Sequence, residues 1–352
     1  MMTEKYSKEY KGKSILVTGG VGSIGSEIVK SLLRFNLKVI RIYDNNETGL
    51  FDLESELNSH KIRSLVGDIR DKERLKRAIE GVDLVFHAAA LKHVPLCEYN
   101  PFEAVKTNVL GTQNIIDVAL DEEINKLITI STDKAVNPIN VMGATKLLCE
   151  KLTISANSYK GKQKTAFSCV RFGNVLGSRG SVVPVFLKQI QNTGKITLTN
   201  PDMTRFVMPI SQAVDLVLKS APMAQGGEIF VFKMPVIKMG DLAEAMIKEF
   251  GPKYGYKPDN IAIEIIGKRP GEKDFEELIT LDEAKNTYEN QNMYVIYPLS
   301  NLSNLVATPK IPKTFTKVEI QQYSSHATKL LNKKEIRKLL IQAIGCDTTF
   351  DI

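Results

Sequence analysis

The sequence has no apolar run approaching the roughly 18 to 20 residues that a bilayer-spanning helix needs, so no membrane span is expected. Nothing resembling a secretory signal precedes the first β-branched segment at Ser14. Cysteine is scarce: Cys97, Cys149, Cys169 and Cys346 stand far apart without a CxxC pair. That spacing excludes a disulfide framework and points to a reducing, cytoplasmic compartment. The four histidines, His60, His87, His93 and His326, do not fall at metal-ligand spacings, so no metal site is expected. Internal repeats of solenoid or propeller period are lacking, as are low-complexity tracts. The formal charge of +7 comes from scattered lysines and arginines, mildly concentrated over 5–13 and 329–338. Aromatic-interleaved basic repeats are missing, which excludes a nucleic-acid binder. The charge fits a solvated lysine surface with mild attraction for an anionic substrate.

What the chain does have is length, 352 residues, enough for two packed domains. Short apolar runs alternate with helix-length segments through the first half: Ser14–Thr18, Lys38–Tyr43, Ile62–Val66, Val82–His87, Leu127–Ser131 and Ala166–Val170. Strands that read as nearly continuous hydrophobic runs indicate a parallel sheet covered on both faces. The expected class is α/β, a Rossmann-type doubly wound parallel sheet with a smaller, discontinuous C-terminal substrate domain. After Arg171 the rhythm breaks into Gly- and Pro-punctuated segments of the kind that carry ligand contacts. Glu228–Phe232 is apolar enough to return to the main sheet, and Asn332–Ala343 has helical periodicity. The expected division is therefore 8–172, with roughly 205–235, for the dinucleotide-binding domain, and 173–204 with 236–352 mainly for the substrate domain.

Directly after the first strand comes Thr18-Gly19-Gly20-Val21-Gly22-Ser23-Ile24-Gly25, opening a helix. Gly19 permits a tight turn, Gly22 lets backbone approach a pyrophosphate, and Gly25 allows close helix-on-strand packing. The N–H groups of Ser23 and Ile24 then face the phosphates at the helix start. Asp44 follows Gly25 by 19 residues at the end of the second strand, where a carboxylate binds the adenosine ribose hydroxyls and repels a 2′-phosphate. NAD is thus favoured over NADP. Further along the same sheet edge, Asp68 and Ile69 could hold the adenine, Ala88, Ala89 and Ala90 could let backbone pass the cofactor, and Asn108 could serve as a polar brace.

The ordered set TGGVGSIG, GDIRD, HAAALKHVP, NVLGTQN, STDKAVNP, MGATK, RFGNVLGSRGSVVPVF, TLTNPDMTRFVM and GKRPGEK resembles an extended short-chain dehydrogenase/reductase. Within that group it is similar to the nucleotide-sugar 4,6-dehydratases acting on UDP-N-acetylglucosamine, over roughly residues 12–280. The resemblance implies oxidation at C4 by NAD, elimination of water across C5 and C6, and return of hydride to C6. Asp133 is implied as the acid for the leaving hydroxyl, Lys134 as the base at C5, and Thr132 as a partner of the 4-oxygen. A lysine base must be largely neutral, so Lys134 is expected to have a depressed pKa through burial and nearby positive charge. Lys146 is implied to hold the nicotinamide ribose. Asn174 and Val175 are implied beside the sugar diphosphate, Arg205 and Arg269 as cationic partners of the diphosphate or uridine ribose, and Glu272 as a ribose acceptor. Lys92 and His93 sit on a loop facing the same cleft, Lys92 toward cofactor or substrate. A UDP-sugar partner and a homo-oligomer, dimer or hexamer, are also implied.

One residue departs from the reductase pattern. Met142 stands four residues before Lys146, where a tyrosine would have its phenol activated by the ammonium. A thioether cannot take a proton, so Asp133, directly or through Thr132 or a water, is expected to take the one on O4. Retention at C5 is the expectation, from the likeness of Asn45–Phe51 to the retaining subgroup. An inverting dehydratase/5-epimerase and a UDP-sugar 4-epimerase are the alternatives. A catalytically silent NAD-sensing scaffold would suit Met142 but predicts decay of Asp133, Lys134, Asn174, Arg205 and Arg269, all of which are present.

Overall fold

A computed structural model describes residues 3–298 and 311–344. Six parallel strands carry the first half: β1 (Ser14–Thr18), β2 (Val39–Asp44), β3 (Ile62–Val66), β4 (Leu84–His87), β5 (Lys126–Ile130) and β6 (Ala166–Arg171). Their order in space is 3-2-1-4-5-6, the doubly wound arrangement whose direction of winding reverses between β1 and β4. Alternate side chains of one strand serve opposite faces. Ile15 and Val17 join the cluster formed with the helices Ser23–Leu32 and Ile210–Met223, while Leu16 joins the one formed with Lys72–Ile79 and Gly111–Asp121. Burial on both faces explains why these strands read as unbroken apolar runs.

Beyond β6 the chain makes β7 (Asn174–Leu176), β8 (Lys195–Leu198) and β9 (Thr204–Pro209), then returns to the main sheet as β10 (Ile229–Phe232), parallel to β6. That return matches the expectation for Glu228–Phe232. The sheet then continues antiparallel through Met293–Ile296, Thr287–Glu289 and Thr316–Lys317, so residues assigned by sequence to the second unit complete the first unit's sheet. A separate apolar cluster draws on Val183, Phe186 and Leu187, on Leu242, Met246 and Phe250, and on Ile336 and Leu340. We propose that this cluster is the core of the smaller, discontinuous unit. Its last contributor is the helix Lys333–Ile344, one residue offset from the predicted span, with Asn332 accepting from the backbone N–H of Lys334 and Glu335.

Cys97, Cys149 and Cys169 are buried free thiols, and Cys346 lies outside the described residues. Among the described residues, no helix is long and apolar enough to cross a membrane and no His/Cys/Asp/Glu cluster could hold a metal ion.

At the C-terminal edge of β6, Arg171 is 1 % exposed. Its guanidinium meets Glu150 at 2.6 and 3.0 Å and Glu283 at 2.9 and 3.0 Å, and donates to the Leu278 carbonyl at 2.8 Å. Burial works against its charge, but the two carboxylates outweigh it and raise the pKa further. This network ties β6 to the helix Val141–Tyr159 and to the short helix Leu281–Ala284, so it sets the distance between the strand edge and the C-terminal segments.

Candidate active site

The glycine loop after β1 is shaped as the spacing predicts. Gly19 has φ +63°, and a Cβ there would lie 2.6 Å from the Ala89 nitrogen, so the Ala88–Ala89 backbone runs directly against the loop. A Cβ on Gly25 would lie 2.1 Å from the Gly19 carbonyl oxygen. Gly22 stands at the N-cap of Ser23–Leu32 with no side chain capping it, which leaves the first-turn N–H groups of Ser23, Ile24 and Gly25 to a ligand. Asp44 accepts from Val21 N at 3.1 Å and Asn46 N at 3.0 Å, fixed at the end of β2. The donor set and the space fit a dinucleotide.

Other residues expected around the cofactor have packing duties. The Asp68 carboxylate is taken by the Arg70 guanidinium at 2.6 to 3.0 Å, which holds its pKa below the ordinary aspartate value. Ile69 is buried, with its side chain filling the space a Cβ on Gly111 would need. Asn108, 1 % exposed, is a brace in fact. It lies in the π-helical turn Val105–Leu110, exchanges hydrogen bonds with the Leu91 backbone at 2.8 and 3.0 Å, and donates to Thr145 Oγ1 at 2.9 Å. It thereby joins the loop after β4 to the helix bearing Met142 and Lys146. Beneath it, His87 contacts Thr18 Oγ1 at 2.8 Å and Thr112 Oγ1 at 3.1 Å. Burial, with the Lys146 charge second, pushes its pKa down to about 3, so the imidazole is neutral.

Past β5, Ser131-Thr132-Asp133-Lys134 leads into a 3₁₀ turn over Asp133–Ala135. Asp133 is 0 % exposed. Its Oδ1 accepts from Thr132 Oγ1 at 2.8 Å and Lys134 Nζ at 2.9 Å, while its Oδ2 has no partner and lies 3.2 Å from where a Gly173 Cβ would be. Gly143 matters to this arrangement, since a Cβ there would lie 2.2 Å from the Lys134 carbonyl oxygen and push the turn off the helix. Lys134 Nζ also reaches Glu276 Oε1 at 3.5 Å. Burial would lower the lysine pKa, but Asp133 and Glu276 together raise it above the ordinary value. The expected depression is therefore reversed, because the ammonium sits between two carboxylates. Met142 is buried with Cys97, Ala104, Val94 and Val141, its thioether serving as packing. One turn on, Lys146 is 8 % exposed and donates to the Ile130 carbonyl at 2.6 Å.

Across the cleft, Asn174 opens β7, paired with Val207 of β9, and its Oδ1 is buried without a partner. Val175 is core. Arg205 on β9 is 7 % exposed and donates to the carbonyls of Thr204, Lys273 and Asp274 at 2.7 to 3.2 Å, with Glu272 at 3.9 Å. Glu272 also accepts from Arg269 N at 3.2 Å and Thr199 Oγ1 at 3.4 Å, while the Arg269 side chain is exposed. The segment 269–273 is anchored to the start of the helix Val141–Tyr159 through its N-cap residue Asn140, whose Nδ2 donates to Gly271 O at 2.8 Å. Lys92 and His93 are exposed; Lys92 Nζ donates to the Arg179 carbonyl at 2.8 Å.

The sequence model of a family described as polysaccharide biosynthesis protein matches residues 15–298. The chain belongs to that family of extended short-chain dehydrogenase/reductases. Among its relatives is an uncharacterized membrane protein of Methanocaldococcus jannaschii, 62 % identical over 96 % of this chain and 98 % of its own. A protein of Campylobacter jejuni named UDP-N-acetylglucosamine 4,6-dehydratase (inverting) is 45 % identical over 82 % and 84 %. One of Rickettsia prowazekii named UDP-glucose 4-epimerase is 39 % identical over 94 % and 95 %. The solved structure of Pen from Bacillus thuringiensis superposes with a TM-score of 0.87 at 42 % identity, covering 94 % of this chain and 98 % of that one. DesIV, a dTDP-glucose 4,6-dehydratase from Streptomyces venezuelae solved with NAD and TYD bound, shares the fold at TM-score 0.65 and 19 % identity, over 85 % and 93 %.

In this member of the polysaccharide biosynthesis family, the fold brings Thr132, Asp133, Lys134 and Lys146 to one strand edge, with Arg205 and Glu272 on the facing segments. Met142 and Ile69 go to packing. Two residues escaped sequence reasoning. Glu276 has no motif of its own and meets Lys134 only through tertiary packing. Arg179 crosses to the glycine loop, where its guanidinium donates to the Val21 carbonyl and its N–H to Ser23 Oγ at 3.0 Å.

Proposed function

We propose that this protein is a UDP-N-acetylglucosamine 4,6-dehydratase that uses NAD and yields a UDP-4-keto-6-deoxy-N-acetylhexosamine. The observation that carries this reading is the acid–base group at the end of β5: buried Asp133 beside half-buried Lys134, with Asp133 Oδ2 and Asn174 Oδ1 buried without partners. Buried acceptors without donors are costly, and a polyhydroxylated sugar supplies hydroxyl donors. NAD bound at the glycine loop supplies the hydride acceptor for C4 and the donor for C6. Thr132 and Asp133 Oδ2 take the O4 hydrogen, a task the Met142 thioether cannot perform. Lys134, as amine, removes the C5 proton that the 4-ketone acidifies. Asp133 passes the proton it gained to the departing 6-hydroxyl, so no external acid is consumed. Lys146 holds its ammonium near the nicotinamide ribose. Arg205, Arg269 and Glu272 form the UDP side.

For C5 we propose inversion. The stretch behind the retaining expectation, Asn45–Phe51, contains the N-cap of the helix Glu47–Leu57, with Asn46 Oδ1 accepting from Gly49 N at 3.0 Å. It stands at the adenosine end of the site and has no contact with Lys134 through which to choose a face. The named dehydratases at 45 % and 44 % identity are inverting, which supports inversion here. A 4-epimerase is the second reading, favoured by the name of the 39 % identical relatives. Mass spectrometry after incubation with UDP-N-acetylglucosamine and NAD separates the two. Loss of one water is the expected result, and an isomer of unchanged mass would establish the epimerase instead.

Asp44 sets the cofactor. Asp44→Asn is expected to weaken NAD binding about 10- to 100-fold, the worth of a charge-assisted hydrogen bond pair, and to weaken NADP binding less. Calorimetric titration with each cofactor checks it, and equal losses would refute the role of the charge.

A further inference from the structure

Glu276 is 3 % exposed, stands immediately before the strand Glu277–Ile279, and is held by its backbone. Its N–H donates to Ser325 Oγ at 2.9 Å, and its carbonyl accepts from Ser325 N at 2.8 Å. The side chain points away from this anchor to Lys134 Nζ, with Oε1 at 3.5 Å and Oε2 buried without a partner. A carboxylate fixed in this way, beside a lysine that already has Asp133 at 2.9 Å, is not needed to neutralise it. Glu276 Oε2 is left buried without a donor, an arrangement that costs stability unless it serves the chemistry.

Resting on the dehydratase reading above, we propose that Glu276 is the proton store of Lys134, a positioning residue that takes the ammonium proton so that the amine can act at C5. The step moves one proton from Lys134 Nζ to Glu276. Lysine becomes the neutral amine and glutamate the carboxylic acid, while the net charge of the Asp133–Lys134–Glu276 group stays the same. Lys134 then removes the proton from C5, and the C5–C6 double bond forms as the C6–O bond breaks. The leaving oxygen takes the proton that Asp133 received from O4 and departs as water. C5 is then protonated from solvent on the opposite face, Lys134 gives its proton to solvent, and Glu276 returns the stored proton to Lys134, so the group ends as it began. Beyond the bound NAD and the exchange of one proton with water, no outside acid, base or oxidant is required.

The surroundings of Glu276 suit the role. Burial raises its pKa, with Asp133 acting in the same direction; Lys134, Arg205 and Lys273 oppose them, and burial prevails. These are the charged groups that face it, on the turn after β5, on β9 and on the segment 269–273. Lys273 is itself turned aside, donating to the Val136 carbonyl at 2.7 Å.

The test compares the pH dependence of kcat in the wild type and in Glu276→Gln, with UDP-N-acetylglucosamine and saturating NAD. Internal transfer leaves the wild-type kcat nearly flat around neutral pH. In Glu276→Gln the lysine proton must leave to solvent, so kcat is expected to drop about 10- to 100-fold at neutral pH and to climb about tenfold per pH unit. The deuterium isotope effect with substrate labelled at C5 should grow in the variant, because that step becomes limiting. Glu276→Asp should restore a flat profile with part of the rate. A Glu276→Gln enzyme with a flat profile and an unchanged C5 isotope effect, whether fast or slow, overturns the proposal. So does a Glu276→Asp enzyme indistinguishable from Glu276→Gln. Failure of the wild type to release water would instead overturn the dehydratase reading itself, and that control is run first.

Discussion

Asp133→Asn is expected to lower kcat about 10³-fold, within the 10²- to 10⁴-fold range of a lost acid–base group, while UDP binding and the thermal unfolding midpoint change little. The substitution is isosteric. An amide oxygen in the place of Oδ1 can still accept from Thr132 at 2.8 Å and Lys134 at 2.9 Å, so the turn keeps its shape. What disappears is the ability of the second atom to accept the O4 proton and pass it to the 6-hydroxyl. With Met142 packed against Cys97 and Ala104, no phenol stands in reserve. Both transfers therefore depend on one carboxylate, which is why the loss should exceed that of a single-step acid. Measurement of kcat, with calorimetric UDP binding as the control for folding, decides it; a loss below about tenfold would move the O4 proton to another group.

Arg171→Met should be the most destabilising single change considered, by about 3 to 5 kcal/mol, the usual effect of removing one partner of a buried ion pair. Glu150, 1 % exposed, would be left without its counter-charge, and the Leu278 carbonyl without its donor. Adding Glu150→Leu should recover much of the loss, since an apolar pair of similar volume avoids the desolvation penalty. Urea unfolding of the two variants measures both effects, and a double variant as unstable as the single one would contradict the assignment. The same network has a pH signature. Burial favours the neutral form of Glu283, but Arg171 outweighs it and holds the pKa below the ordinary glutamate value. A depressed carboxyl contributes stability that is present above its unfolded pKa and lost as pH falls through the folded one. The midpoint of unfolding should therefore fall as pH drops below the ordinary glutamate range, and that fall should be smaller in Glu283→Gln.

The parts of this protein that were legible from sequence are those whose geometry is set locally. Gly19, Gly22 and Gly25 obey a spacing that backbone sterics impose, and the close approaches of Gly19 to Ala89 and of Gly25 to Gly19 follow from it. The six parallel strands lie within two residues of their apolar runs, because burial on both faces writes itself into composition. The antiparallel strands at 287–289 and 293–296 are three or four residues long, too short for periodicity to register. The charge state of Lys134 was misread for a different reason. Burial and neighbouring cations argue for a neutral lysine, and only tertiary packing shows that Glu276 stands opposite, far along the chain. The ion pair of Asp68 with Arg70, two residues away, is likewise set by packing and not by a motif.

The most direct measurement is the reaction in deuterated water with UDP-N-acetylglucosamine and NAD, the product examined by mass spectrometry and NMR. Expected are loss of one water, one deuteron at C5 from solvent, hydrogen returned to C6 from C4 of the same molecule, and the inverted C5 configuration. A product that retains its water, or that carries the original hydrogen at C5, would contradict the dehydratase reading.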